Sequence, residues 1–468
     1  MVFSSFVFLL AFLPIVLLLY YLCPARLRNL VLLVFSLVFY AWGEPVYVLI
    51  MLFSIVFDYA NGRLIEHFKN KNCPGKAKAA LIVDLCGNLA ILGFFKYTDF
   101  VIGSINSITG AGLSLLHIAL PIGISFYTFQ TMSYTIDVYR GEVAAQKNIL
   151  TFATYVTLFP QLIAGPIVQY KTVEKELMHR KVTLEDFSEG AFRFSVGLAK
   201  KVLLANQIGS LWDSISQLNH MSVATAWLGA IAYSFQIYFD FSGYSDMAIG
   251  LGKMFGFDFM ENFNYPYIST SIREFWRRWH ISLSTWFREY LYIPLGGNRK
   301  GQVRTYVNLL IVFFATGLWH GAGATFIIWG LYHGLFLVVE RMGLGKLLEK
   351  NCFRGLNHIY TALVVVVGWV FFRADTLADA KVILHQMFTW ENGIYPASLF
   401  VNPKVIFLAV LGVLLSGIAQ SICPKLREHL YEKEVTKTVD IVIMAVLLFL
   451  CTMYLVSSTY NPFIYFRF

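Results

Sequence analysis

The sequence predicts an all-α, polytopic membrane protein, and three observations support this fold class. Hydrophobic residues make up 57% of the 468 residues and charged residues only 14%, too few to cover the surface of a soluble domain of this length. Apolar runs continue over roughly 15–20 residues, as helices that cross a bilayer do. These runs do not alternate between apolar and polar residues, which the strands of a membrane β-barrel would require.

The charge and the cysteines argue against other classes of protein. A formal net charge of +9 is typical of a membrane protein whose cytoplasmic loops are rich in Lys and Arg, so we do not expect nucleic-acid binding. The six cysteines form neither a metal-binding spacing nor a disulfide framework, and no metal site is predicted. Residues 3–22 lack a preceding basic region, which favours a retained first span over a cleaved signal peptide.

The apolar runs predict about twelve spanning helices, within a range of roughly ten to fourteen. Basic loops, such as residues 63–78, mark the cytoplasmic side and place both termini outside. No internal repeat is visible, which disfavours a secondary transporter, and we expect one membrane domain over residues 1–468. The predicted segments are residues 3–22, 30–40, 46–59, 81–95, 120–137, 150–169, 187–212, 227–257, 305–319, 359–372, 405–422 and 439–457.

Two carboxylates interrupt the apolar segment 227–257. Asp240 and Asp246 lie in the sequence Y-F-D-F-S-G-Y-S-D. A carboxylate at membrane depth needs either a partner or a polar cavity. We favour the structural interpretation, in which each carboxylate pairs with a tyrosine, a serine or an arginine.

Residues 262–300 predict an amphipathic or re-entrant segment on the cytoplasmic side. Ser271 and Glu274 have the spacing of a capping box, and aromatic residues then recur at helical spacing up to a breaker at Pro294. The helix is either a membrane-surface anchor or an entrance that faces phosphate groups. His280 lies within this helix. The basic candidates for phosphate binding are Arg273, Arg277, Arg278, Arg288, Arg299 and Lys300.

The stretch from residue 315 to residue 334 carries two histidines and several glycines in an apolar setting. As a helix, residues 305–319 would rise only about 22 Å, whereas the hydrocarbon core is roughly 30 Å thick. The chain is therefore expected to break or reverse near His320. A histidine at this depth is either functional or bonded to a neighbouring helix, and its position alone leaves both interpretations open.

The tail, residues 459–468, has the sequence T-Y-N-P-F-I-Y-F-R-F. Fully extended it spans about 33 Å, which is enough to reach the middle of the bilayer from the outer surface. Such an aromatic segment either packs on the membrane face or inserts into a cavity of its own chain or of a partner.

Several long motifs together resemble the membrane-bound O-acyltransferase (MBOAT) family, in its bacterial branch of alginate and peptidoglycan O-acetylation subunits. They are L-F-P-Q-L-I-A-G-P-I at 158–167, Y-F-D-F-S-G-Y-S-D-M-A-I-G at 238–250, the segment 262–299, and W-H-G-A-G with its flanks at 315–334. F-I-Y-F-R-F at 463–468 also resembles this branch, and it is similar to a short motif on a separate peptide of teichoic-acid D-alanylation.

The resemblance implies a ring of tilted helices around a thinned centre with a funnel or tunnel, in the bacterial cytoplasmic (inner) membrane. His320 matches the family's essential histidine, and His280 matches its second, cytoplasm-side histidine; His333 fits the pattern without an assigned role. The implied donor substrate is acetyl-CoA, with no bound cofactor. The implied acceptor is a polysaccharide, usually reached through a separate extracytoplasmic acetyltransferase that docks at the tail or accepts from it.

A neutral histidine is the usual general base for acyl transfer, which suits His320 to deprotonate an attacking hydroxyl. CoA stays inside and the polymer is outside, so the acetyl group must cross. Tyr465 offers a route, because a phenol with a reference pKa near 10 makes an activated ester, close to a thioester of a thiol near 8.5. The alternative is that the tail is only a docking tag.

Three functional classes remain open at this point. An acyltransferase needs His320 for acetylation, a transporter of the donor moves it without cleaving the thioester, and a scaffold tolerates loss of His320. A teichoic-acid-type D-alanyl transferase is the near alternative within the first class. The presence of the tail motif in this chain favours the acetylating branch, and the acceptor polymer is not identified.

Overall fold

The computed structural model describes residues 1–218, 220–350, 354–390, 393–423, 438–457 and Ile464. These residues form α-helices that are joined by turns and by short 3-10 and π segments. In chain order the helices are α1 (Phe8–Leu22), α2 (Arg28–Ala41), α3 (Val48–Asn70), α4 (Pro74–Thr109), α5 (Ile124–Arg140), α6 (Ile149–Thr157), α7 (Phe159–Leu162), α8 (Tyr170–Met178), α9 (Leu184–Ala199), α10 (Asn206–Ser216), α11 (Val223–Met254), α12 (Ile272–Arg278), α13 (Ile281–Phe287), α14 (Gln302–His320), α15 (Ala324–Leu348), α16 (Arg354–Arg373), α17 (Leu377–Phe388), α18 (Pro403–Ile422) and α19 (Thr438–Ser457).

Among the described residues, six helices are long and apolar enough to cross a membrane: α3, α4, α15, α16, α18 and α19. The prediction of an all-helical membrane protein is confirmed. The total of about twelve spans stays a prediction. Helix α4 contains 36 residues, more than twice the predicted segment 81–95, because helical residues continue into the polar stretch after residue 100.

Packing divides the chain into two compact units. Unit 1 consists of Met1–Phe194 and Met247–Met260, and unit 2 of Ser195–Asp246 and Glu261–Phe468. The expectation of a single membrane domain stays a prediction. Every residue of the candidate site described below belongs to unit 2.

Unit 1 is built around the packed helices α3, α4 and α5, which enclose polar side chains. The Asn88 side-chain amide donates to Asp58 Oδ1 at 2.6 Å, and the Thr135 hydroxyl donates to Asp84 Oδ2 at 2.6 Å. All four side chains are buried. These hydrogen bonds offset part of the cost of placing carboxyl groups inside an apolar helix bundle.

In unit 2, α14 and α15 form a tight antiparallel hairpin that turns directly after His320. A Cβ atom at Gly330 would lie 2.2 Å from the Phe313 carbonyl oxygen, and one at Gly317 would lie 2.4 Å from the Phe326 carbonyl oxygen. Only glycine permits backbones to approach so closely. The predicted reversal near residue 320 is therefore confirmed, and it leaves His320 as the last residue of its helix.

The helix predicted to run from Ser271 towards Pro294 is broken, so its continuity was predicted wrongly. Ser271 does cap α12, since its hydroxyl accepts a hydrogen bond from the Glu274 backbone N–H at 3.0 Å. The other half of the predicted capping box is shifted by one residue, because the Glu274 carboxylate accepts from the Thr270 backbone N–H at 2.9 Å. The chain then leaves the helical conformation at Trp279, which is extended, and His280, with a φ angle of 45°, separates α12 from α13. A polar interaction with a distant segment, described below, stabilises this break.

The structural interpretation of Asp240 and Asp246 is supported, but their partners are lysines. Asp240 Oδ1 lies 2.6 Å from Lys201 Nζ, and Asp246 Oδ2 lies 2.5 Å from Lys200 Nζ. Both carboxylates project from α11, and both lysines belong to the π turn Lys200–Ala205 between α9 and α10. Two buried ion pairs thus join these elements within unit 2.

Candidate active site

His320 ends α14 inside an aromatic cage. Its side chain is buried, and its ring centroid lies 5.0 Å from that of Trp329 and 5.1 Å from that of Phe372. Both rings stand nearly perpendicular to the imidazole, at 90° and 76°. Because Gly321 continues in an extended conformation and α15 starts at Ala324, the imidazole lies at the turn of the hairpin.

His280 is the second buried imidazole, and Asn262 fixes its orientation. Asn262 Oδ1 lies 3.1 Å from His280 Nδ1 and accepts hydrogen bonds from the Ser282 backbone N–H at 3.2 Å and the Ser282 hydroxyl at 2.9 Å. The Asn262 amide nitrogen donates to Ser245 Oγ at 3.1 Å. The Ile281 backbone N–H also donates to the Asn262 carbonyl oxygen, which replaces the helical bonds lost at the break.

These contacts assign the tautomer of His280. A backbone N–H can only donate, so the Asn262 atom facing Ser282 must be the amide oxygen. The same oxygen then accepts from His280 Nδ1, which places the proton on Nδ1 and the lone pair on Nε2. Burial lowers the pKa of His280 from 6.5 to about 3, and the imidazole is therefore neutral at physiological pH.

The two histidines are neighbours. Their ring centroids are 6.4 Å apart, and Trp319 contacts both, at 5.9 Å from His280 and 4.9 Å from His320. Phe241 of α11 stacks edge-on against His280 at 4.7 Å. Two buried imidazoles this close together inside aromatic walls form a site suited to proton transfer.

His333 lies one aromatic layer away from this pair. Its ring is fully buried between Trp276 and Trp329, with centroid distances of 5.2 Å and 5.5 Å. Trp329 therefore separates His333 from His320. His333 thus packs among aromatic rings, and within the described residues it does not contact His280.

A basic cavity of about 600 Å³ opens beside α12. Glu340 of α15 anchors the start of α12, because the Glu340 carboxylate accepts from the backbone N–H groups of Ile272 at 2.6 Å and Arg273 at 3.0 Å. Of the predicted phosphate-binding residues, Arg273, Arg277 and Arg278 line the cavity. Further cationic side chains in its wall, which the sequence did not single out, are Arg341, Lys350 and Arg354.

The predicted basic residues differ in how available they are to a phosphate group. Arg278 is engaged by Glu274, whose Oε1 lies 2.8 Å from the guanidinium, and is less available for a ligand. Arg288 lines a smaller hollow of about 240 Å³ that Arg273 and Arg277 also border. Arg299 and Lys300 are exposed and line neither cavity.

The tail is represented by one described residue. Tyr465 lies outside the described residues, as do residues 459–463 and 466–468. The backbone N–H of Ile464 donates a hydrogen bond to Asp240 Oδ2 at 2.9 Å.

Sequence reasoning missed Asn262 and the two lysines. Asn262 opens the motif N-F-N-Y, but nothing local shows that it orients a residue 18 positions later. Lys200 and Lys201 could have been predicted as partners of the aspartates, because two lysines in one apolar segment and two aspartates in another need partners of opposite charge.

Comparisons with known proteins identify a family and several relatives that this chain resembles. Residues 142–378 match the membrane-bound O-acyltransferase family. A Pseudomonas aeruginosa protein named probable alginate O-acetylase is 50% identical over 84% of this chain and 76% of its own length. A Helicobacter pylori peptidoglycan O-acetyltransferase is 36% identical over 100% of this chain and 98% of its own length. A Bacillus subtilis teichoic acid D-alanyltransferase is 28% identical over 53% of this chain and 66% of its own length.

Proposed function

Because the chain belongs to the membrane-bound O-acyltransferase family, we propose that it moves an acetyl group from cytoplasmic acetyl-CoA towards a cell-envelope or extracellular polysaccharide. The chain is an acyltransferase. The names of its relatives refer to alginate and to peptidoglycan, both of which present sugar hydroxyls, and this supports a polysaccharide as the final acceptor.

The single observation that carries the chemistry is the close pair of buried histidines, with 6.4 Å between their ring centroids. His320 takes the proton of the attacking hydroxyl, whose oxygen forms a bond to the thioester carbonyl carbon. The carbon–sulfur bond then breaks and the thiolate of CoA takes up the proton, so no net acid or base is consumed. His280, with its lone pair on Nε2, positions the thioester or relays this proton.

The basic cavity beside α12 is the proposed site of the CoA phosphates. Arginine binds phosphate through bidentate hydrogen bonds, and both Arg273 and Arg277 line this cavity. His280 lies three positions after Arg277, so their Cα atoms are at most about 11 Å apart. The pantetheine arm of CoA would bridge this gap and present its thioester to the histidines.

The tail is the proposed acetyl carrier, with Tyr465 as the hydroxyl that His320 activates. A phenyl ester keeps most of the activation of a thioester, and onward transfer to a sugar alcohol is downhill. The hydrogen bond from Ile464, the residue before Tyr465, to Asp240 supports a tail that enters unit 2. An extracytoplasmic acetyltransferase would then accept the group from the tail or dock there.

The placement of the chain in the membrane is part of the same proposal. We expect a ring of about twelve tilted helices around a thinned centre with a funnel, in the bacterial cytoplasmic membrane with both termini outside. Residues 262–300 would form the cytoplasmic-side entrance of a single membrane domain. The tail, residues 459–468, would lie on the extracytoplasmic side.

The test is complementation of a deletion strain with His320→Ala, followed by measurement of the acetate released from its polymers by mild base. We expect acetylation to be lost while the protein level in the membrane is unchanged. His385→Ala, an exposed histidine on α17, is the matched control and should retain full acetylation. Full acetylation in His320→Ala would refute the proposal, and polymer-bound D-alanine in place of acetate would favour the D-alanyl transferase alternative.

A further inference from the structure

We infer that the Asp240 carboxylate, held in place by Lys201, is the docking point of the chain's own C-terminal tail. Asp240 would thus be a positioning residue that acts on the reaction through the tail. The inference deepens the proposed carrier function and rests on it only for its effect on acetylation; the docking itself stands on separate observations.

The two oxygens of this carboxylate have different partners. Oδ1 lies 2.6 Å from Lys201 Nζ, and Oδ2 accepts the backbone N–H of Ile464 at 2.9 Å. Only 1% of Asp240 and 3% of Lys201 is exposed. A buried carboxylate is stabilised only when its oxygens are paired or hydrogen-bonded, so the tail completes the coordination of a charge that the lysine only half satisfies.

The chain path is compatible with such docking. Helix α19 ends at Ser457 and contacts the π turn Lys200–Ala205, which carries Lys201. The chain from Ser457 to Ile464 spans at most about 25 Å. Ile464 therefore binds at an ion pair whose lysine belongs to an element that α19 itself contacts.

Docking at Asp240 would hold the tail at the part of α11 that contacts His280. Asp240 directly precedes Phe241, whose ring packs at 4.7 Å against His280. Ile464 directly precedes Tyr465 in the sequence. Since the carboxylate accepts from a backbone N–H, it would fix the path of the tail, and this hydrogen bond does not depend on the side chain at position 464.

The chain contains a matched control for this ion pair. Lys200 and Asp246 join the same π turn to the same helix α11 at 2.5 Å, whereas the Ile464 N–H donates to Asp240. Replacing both members of a buried ion pair avoids the cost of an unpaired charge. The variants K201M/D240L and K200M/D246L therefore each remove one ion pair between these elements, and only the first removes the carboxylate that accepts from Ile464.

The experiment is hydrogen–deuterium exchange of the full chain in lipid nanodiscs, read by mass spectrometry on the C-terminal peptide. We expect the Ile464 amide to exchange at least about tenfold faster in K201M/D240L than in the wild type, and at the wild-type rate in K200M/D246L. Wild-type protection in K201M/D240L, or equal loss in both variants, would overturn the inference.

Two further variants keep the test valid if K201M/D240L does not fold. Ile464→Pro removes the donor N–H, whereas Ile464→Ala keeps it, so only the proline variant should lose polymer acetylation. Equal acetylation in the two would contradict docking. The exchange measurement does not depend on acetyl transfer, so the His320→Ala variant should retain protection of the tail. Loss of polymer acetylation in the same variant would test the proposed function separately.

Discussion

Replacing Gly330 with alanine tests the hairpin that places His320. A Cβ atom there would lie 2.2 Å from the Phe313 carbonyl oxygen, about 1.2 Å closer than an ordinary contact. The Gly317 backbone lies on the same side at 3.1 Å, so no flexible side chain can yield and α14 must move away from α15. The displaced helix carries His320 at its end.

Two opposing effects set the expected change in the free energy of unfolding of Gly330→Ala. Overpacking costs about 1–3 kcal/mol, whereas alanine in a helix interior gains about 1 kcal/mol over glycine. We therefore expect a net loss of up to about 2 kcal/mol in the free energy of unfolding. A displacement of about 1 Å at a reacting group can cost roughly 100-fold in rate, so activity should fall further than stability.

The assay combines thermal unfolding in detergent with the rate of CoA release from acetyl-CoA. Gly93→Ala is the control, because Gly93 lies inside helix α4 with nothing within 4 Å of its Cβ position and should be neutral or stabilising. A Gly330→Ala protein that melts like Gly93→Ala and keeps wild-type activity would refute the argument that this close approach positions His320.

Three further predictions concern the site. Asn262→Ala should lower the turnover number about fivefold, because the hydrogen bond that holds the His280 tautomer contributes about 1 kcal/mol; an unchanged turnover would contradict the tautomer assignment. Arg277→Gln should raise the KM for acetyl-CoA with little change in turnover, while the exposed Arg299→Gln should not; equal effects would argue against the cavity beside α12 as the phosphate site. Tyr465→Phe should abolish polymer acetylation, and intact-protein mass spectrometry should show no tail-borne acetyl group; full acetylation would end the carrier hypothesis.

The sequence predicted the parts of the site that depend on local signals. The break at His320 followed from the short apolar segment before it and from the glycines after it, and both reflect contacts within one hairpin. Likewise, Ser271 was correctly predicted as a helix cap, because capping is decided within four residues.

Features that depend on distant partners were not predictable in this way. Residues after Arg278 continue a helical pattern, yet His280 adopts a left-handed conformation because Asn262 supplies hydrogen bonds from elsewhere in the chain. Asp240 was expected to pair, but its partner Lys201 depends on which helices lie side by side, and helical periodicity does not encode that.

The most direct test of the central claim is the initial rate of CoA thiol release from acetyl-CoA by the purified full-length protein with its polysaccharide acceptor system. If His320 is the general base, His320→Ala should be slower by about 100- to 10,000-fold, while His385→Ala matches the wild type. A His320→Ala protein that releases CoA as fast as the wild type would contradict the account.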